Sequence, residues 1–204
     1  MINSQLVTLN EIAIPQVTCE RPMLPFNLST LEGVEEELKS VIESMVSHLK
    51  VRFGTAFLTI HGKVLTAGST LRRPGAHIDG NYMNYIKGVP FKTFGGGGGF
   101  KLGEDGPYIY EEAHKLSYEN DHGGIIMAST VPACRAYIGK FKGVPGRGGD
   151  CQHIELNDGI DLKANIVYYG NNRLIHESMP VNKNIHRTFI RITLPITHKY
   201  EKAS

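Results

Sequence analysis

Residues 187–194 read Arg-Thr-Phe-Ile-Arg-Ile-Thr-Leu, and their alternation decides the fold class. Thr188, Ile190, Ile192 and Leu194 fall on one side of an extended chain, and Arg187, Phe189, Arg191 and Thr193 on the other. One face is aliphatic and the other carries two guanidinium groups. The expected arrangement has the aliphatic face packed outward under a helix and the arginine face turned inward.

The helix that fits this role lies far upstream. Leu31, Val34, Leu38, Val41, Ile42, Met45 and Leu49 recur at spacings of three and four, which predicts an amphipathic helix over 31–49. Ser29 followed by Glu32 has the form of a capping box and places the helix start near residue 30. Glu35, Glu36, Lys39 and Glu43 form the solvated face. Between this helix and the last strand the chain is a series of short β-rich runs: 55–61, 63–71, 124–129, 133–141, 152–156, 164–169 and 174–177. Turn signals such as Arg73-Pro74-Gly75, Pro145-Gly146 and Asn157-Asp158-Gly159 separate them. No helical pattern divides consecutive strands, so a sandwich, barrel or jelly roll is expected rather than a parallel α/β sheet.

The 204 residues suit a single domain, 1–204, with residues 1–28 as an N-terminal extension and the β core over 51–196. The core is interrupted at 80–123 by a Gly- and aromatic-rich insert containing the pentaglycine run Gly95–Gly99, which reads as a lid over the site, with a fixed Ω-type loop padding the barrel end or a disordered segment as the alternatives. Formal net charge is +2, so composition supplies no nucleic-acid signature. No apolar run reaches membrane-spanning length, and no secretory pattern opens the chain. Three widely spaced cysteines, Cys19, Cys134 and Cys151, read as reduced thiols of a cytoplasmic protein.

His77-Ile78-Asp79 brings an imidazole and a carboxylate to one side of an extended segment. His176 follows on the penultimate strand, and Arg187 comes eleven residues later. Two histidines and one carboxylate leave three positions of an octahedral iron open, and an arginine can hold a second carboxylate bidentately.

This order and spacing resemble the Fe(II)/2-oxoglutarate-dependent dioxygenase superfamily, whose pattern is His-X-Asp, a distal His, and an Arg about ten residues on. The resemblance covers about residues 31–196 and implies a double-stranded β-helix, a jelly-roll or cupin-like fold, with the helix on the outer face of one sheet. It implies Fe(II) held by His77, Asp79 and His176, and 2-oxoglutarate anchored by Arg187, with O2 as the third reactant. It further implies that decarboxylation to succinate is coupled to hydroxylation of a primary substrate, a small molecule or a protein side chain. Halogenating members replace the carboxylate with a small residue, so Asp79 implies hydroxylation, or a demethylation or desaturation that starts with the same hydrogen abstraction. Arg191 shares the face of Arg187; it is expected as a second contact to cosubstrate or substrate, and could exchange roles with Arg187. Tyr82 and Asn84 are candidate substrate contacts.

Arg72 and Arg73 are expected as a solvated pair that could reach a substrate anion, and Cys151 as a small packed residue. His61, His114, His122, His153 and His186 have no partner at recognisable spacing. The alternatives are a cupin-like, metal-dependent enzyme that is not an oxygenase, which would not need Arg187, and a jelly-roll binding module.

Overall fold

The computed structural model describes residues 1–79, 123–146, 149–195 and 198–201. The candidates Tyr82 and Asn84, the insert up to its last residue, His114 and His122 lie outside the described residues.

The described chain is mainly β, with one helix. A six-stranded antiparallel sheet is built from β2 (Leu6–Glu11), β3 (Cys19–Asn27), β4 (Thr55–Leu65), β5 (Ile125–Ser129), β9 (Ile166–Gly170) and β11 (Ile185–Thr193), in the order β2-β9-β5-β11-β4-β3. A smaller sheet runs β10 (Ile175–Ser178), β6 (Cys134–Tyr137), β8 (Ile160–Asp161). Beside it, β1 (Ile2–Ser4) pairs with β7 (Gly139–Phe141). His77 extends the smaller sheet, bridging His176 on one side and Asp150 on the other.

The alternation in β11 does what its chemistry predicts. Ile190, Ile192 and Leu194 pack into one core with Leu38, Ile42, Met45 and Val46 of α1 (Glu36–Val46). From the opposite face Phe189 enters a second core, shared by Ile125 and Met127 of the large sheet and Cys134 and Ala136 of the small one. That shared core makes the two sheets layers of a sandwich. A third cluster, with Ile2, Ala76, Ile78, Phe141, Cys151 and Ile175, covers the outer face of the small sheet.

Four sequence expectations are corrected. The helix starts at Glu36, not near residue 30, and no side chain caps it. The capping box is pre-empted because Asn27 Oδ1 accepts from the Ser29 amide and hydroxyl and from the Thr30 amide, and Leu31 takes φ +58°. The apolar face from Leu31 to Leu49 is nevertheless buried as one stripe. Residues 1–28 supply three paired strands. The runs 55–61 and 63–71 are one strand, β4, ending at Leu65; Gly62 continues it where a Cβ would meet the Val17 carbonyl at 1.9 Å. The run 152–156 is a turn, closed by the Ile154 amide on the Cys151 carbonyl.

Among the described residues no helix is long and apolar enough to cross a membrane.

Candidate metal centre

The site begins with a backbone pairing. The His77 amide donates to the His176 carbonyl and the His176 amide to the His77 carbonyl, both at 2.9 Å. Residues paired in this way project to the same side, so the two imidazoles stand together with ring centroids 4.7 Å apart. Asp79, two residues on, follows onto the same side, while Ala76 and Ile78 point the other way into the outer cluster. On β10, Ile175 is outward and His176 inward by the same rule.

Potential ligand atoms of His77, Asp79 and His176 all lie within 4.8 Å of one another, and all three side chains are buried. His176 Nε2 is 3.7 Å from Asp79 Oδ2. In each imidazole Nδ1 lies against the carbonyl two residues earlier, Gly75 O at 2.8 Å for His77 and Leu174 O at 3.1 Å for His176. A carbonyl only accepts, so Nδ1 carries the proton and Nε2 keeps its lone pair for the Asp79 side. Protonation states agree. Burial, then the neighbouring His176, lowers His77 to about 4, and burial lowers His176 as well. Burial pushes the Asp79 carboxyl up, but Arg191 and the imidazoles outweigh it and hold it at about 2. At neutral pH the trio is therefore two neutral imidazoles and one carboxylate, the form that binds a divalent cation. This buried group can hold a metal ion.

The two arginines of β11 are both buried but differ in what they touch. Arg191 Nη1 donates to Asp79 Oδ2 at 2.5 Å, and Nη2 is 3.5 Å from Thr59 Oγ1. It orients the carboxylate and supplies its countercharge. Arg187, with no exposed surface, donates to Ser129 Oγ at 2.9 Å, Ser178 Oγ at 3.4 Å and Cys134 Sγ at 3.0 Å. Burial raises the Cys134 thiol, against the pull of Arg187, so this partner is neutral too. Among the described residues no carboxylate pairs with Arg187.

Sequence reading brought His77, Asp79, His176, Arg187 and Arg191 to one region; the structure brings His77, Asp79 and His176 together with Arg191 against Asp79, and sets Arg187 against Ser129, Ser178 and Cys134. Sequence reading passed over Ser129, Ser178 and Cys134. Ser178 was within reach of the rule already used, since it lies two residues after His176 on one strand and must face the same way; Cys134 is its cross-strand partner. The Arg72 reading also changes. Arg72 Nη1 lies 2.8 Å from His61 Nε2, and the side chain is half-buried rather than solvated. Cys151 is a packed core residue, as expected. Comparison with protein-family models, curated proteins and solved structures gives no match to this chain.

Proposed function

We propose that this protein is an Fe(II)- and 2-oxoglutarate-dependent oxygenase of the hydroxylating kind, built on a double-stranded β-helix. One observation carries the cosubstrate: a fully buried guanidinium, Arg187, whose described partners are two hydroxyls and a thiol. A buried charge without a countercharge costs several kcal/mol, and a carboxylate arriving from outside would remove that penalty. The donor set fits the metal. Two imidazole nitrogens and one carboxylate oxygen form a three-point ligand set that leaves positions open for a chelating cosubstrate and O2.

In this reading His77, Asp79 and His176 hold Fe(II), with the Gly75 and Leu174 carbonyls fixing the ligand tautomers. Arg191 holds Asp79 ionised and oriented through one oxygen. Ser129, Ser178 and Cys134 fix the Arg187 fork so that it can receive the distal carboxylate of 2-oxoglutarate, and the apolar inner core around it excludes water. Bound metal and cosubstrate supply oxidative decarboxylation of 2-oxoglutarate to succinate and CO2, with the second oxygen atom of O2 delivered to a substrate C–H bond. Arg187, rather than Arg191, is the anchor because Arg191 already has a carboxylate partner. Three free cysteines suit a reducing, cytoplasmic setting.

Anaerobic titration tests the reading. Fe(II) with 2-oxoglutarate should give a weak visible charge-transfer band in the wild type and none in His176→Ala. Arg187→Lys should retain Fe(II) but bind 2-oxoglutarate roughly 30- to 150-fold more weakly, since an ammonium does not reproduce a bidentate fork. A wild-type protein that binds Fe(II) yet shows no band and releases no succinate in air would overturn it.

A further inference from the structure

At the rim of the inner face, three side chains form a chain that the metal centre does not use. His61, on β4, faces inward opposite Phe189. Its Nδ1 stands 4.0 Å from Glu20 Oε1 at the exposed end, and its Nε2 lies 2.8 Å from Arg72 Nη1 at the inner end. An arginine only donates, so His61 meets it with an unprotonated Nε2 and presents its proton toward Glu20. Burial and the adjacent Arg72 keep the ring neutral, lowering it to about 4. Arg72 is thereby fixed through one nitrogen. Among the described residues no carboxylate is bonded to it, and the charges acting on it most strongly are Arg191 and Asp79.

The charge balance of the site makes this arrangement informative. Asp79 is the one buried carboxylate among the described residues, and Arg191 already pairs with it. A divalent metal, Arg187 and Arg72 then contribute four positive charges, of which dianionic 2-oxoglutarate offsets two. The remaining excess attracts anions, and partial burial strengthens that attraction by lowering the local dielectric. Arg187 has no exposed surface, whereas Arg72 keeps part of its side chain exposed.

We infer that Arg72, held in place by His61, is the anion receptor for the primary substrate, and that this substrate carries a carboxylate or phosphate group close to the carbon that is oxidised. The inference rests on the oxygenase reading for its chemistry, but not for its test.

The test uses the whole chain saturated with Mn(II), whose unpaired electrons speed the nuclear relaxation of molecules bound nearby. Inorganic phosphate and acetate are the probes, observed by phosphorus and proton relaxation with and without saturating 2-oxoglutarate. In the wild type with 2-oxoglutarate present, both probes should show saturable relaxation enhancement. Arg72→Gln should weaken their binding roughly tenfold or more at unchanged Mn(II) occupancy, and Arg72→Lys should restore part of it. His61→Leu should weaken it less than Arg72→Gln, as befits a positioning residue. No enhancement in the wild type, or equal enhancement in Arg72→Gln, overturns the inference. So does an Arg72→Gln variant that loses 2-oxoglutarate affinity while keeping the probes, which would assign Arg72 to the cosubstrate. If 2-oxoglutarate does not bind at all, the oxygenase reading falls, while the probe comparison still decides the role of Arg72.

Discussion

At the scale of single residues, the site is a contest between burial and charge. Burial alone would neutralise Asp79 and leave two buried guanidiniums uncompensated; instead Arg191, 2.5 Å away, holds the Asp79 carboxylate ionised. Among the described residues Arg187 has no such partner and is held by hydroxyls and a thiol. A residue kept at a cost to folding but useful for binding predicts opposite effects on the two. Arg187→Met, which keeps an apolar stem of similar reach, should melt no lower than wild type in the absence of ligand, because it removes an uncompensated buried charge. Wild type at a hundred times the dissociation constant of 2-oxoglutarate should gain about 2.7 kcal/mol, a rise of roughly 5–10 °C for a domain of this size. Arg187→Met should gain nothing. Thermal melts with and without 2-oxoglutarate, in the presence of Mn(II), measure both halves. The residue types were legible in the sequence because each carries its own chemistry. Of the partners of Arg187, Ser178 was within reach through its spacing from His176, but Cys134 and Ser129 were not, because such residues signal nothing until register places them: Cys134 meets Ser178 only through the β10–β6 pairing.

At the scale of elements, strands with alternating chemistry were legible and irregular segments were not. β11 could be read residue by residue, since each of its faces has one character. The helix stripe was equally clear, but its first turn was lost to a local competitor, the Asn27 side chain, which offers nearby donors an acceptor outside the helix. The segment bearing His77 and Asp79 is too short to form a long strand and depends on its neighbours: Ile78 donates to Gly149 O and Cys151 to Ala76 O. Gly149 sits at φ +79°, and a Cβ there would stand 2.1 Å from the Ile78 carbonyl oxygen. Backbone against backbone cannot yield as a side chain can. Gly149→Ala should therefore displace the His77–Asp79 segment from β10, weakening metal affinity by a factor of ten or more at ~1.4 kcal/mol per decade. Cooperative melting of the large sheet should persist. Mn(II) titration followed by electron paramagnetic resonance, alongside a thermal melt, separates local from global damage.

At the scale of the whole molecule, the N-terminal segment is where sequence reading fell furthest short, and the reason is physical. β2 and β3 are the two edges of the large sheet, where alternation is weak and proline is tolerated; β3 holds Pro22 and Pro25, with a register shift between Arg21 and Leu24. These residues look like an extension because edge strands need only half their hydrogen bonds. They are nevertheless tied to the site. Ser4 Oγ accepts from the buried Ile175 amide, next to His176, and donates to the Tyr137 carbonyl, while Ile2 enters the cluster behind His77. Deleting residues 1–11 should uncover the β9 edge and leave the Ile175 amide without its partner, a loss of about 1–3 kcal/mol from that one group. The shortened chain should lose cooperative melting and bind Mn(II) more weakly than wild type, both measurable by the assays above.

Acid should act on the whole fold through the same interior. Folded His77 takes its proton at about 4, against 6.5 for an ordinary histidine, and His61 behaves alike. Between those values the unfolded chain binds more protons than the folded one, so stability is fully present above pH 6.5 and declines as pH falls toward 4. For His77 alone the decline is about 3 kcal/mol; His176, also lowered, adds in the same direction. Asp79 contributes nothing in that window, because its stabilisation is lost only as pH falls from 3.8 toward 2. Denaturant midpoints of the chelator-treated protein should fall steadily from pH 6.5 to 4, and His77→Gln should flatten part of that slope. A bound divalent metal should raise the midpoints but keep this slope and carry it below pH 4, because a cation on Nε2 holds the folded imidazoles unprotonated while the unfolded chain still takes up protons. A midpoint that stays level across the window in the chelator-treated protein would mean that these imidazoles are not held neutral by burial, and the protonation argument for the metal centre would fail with it.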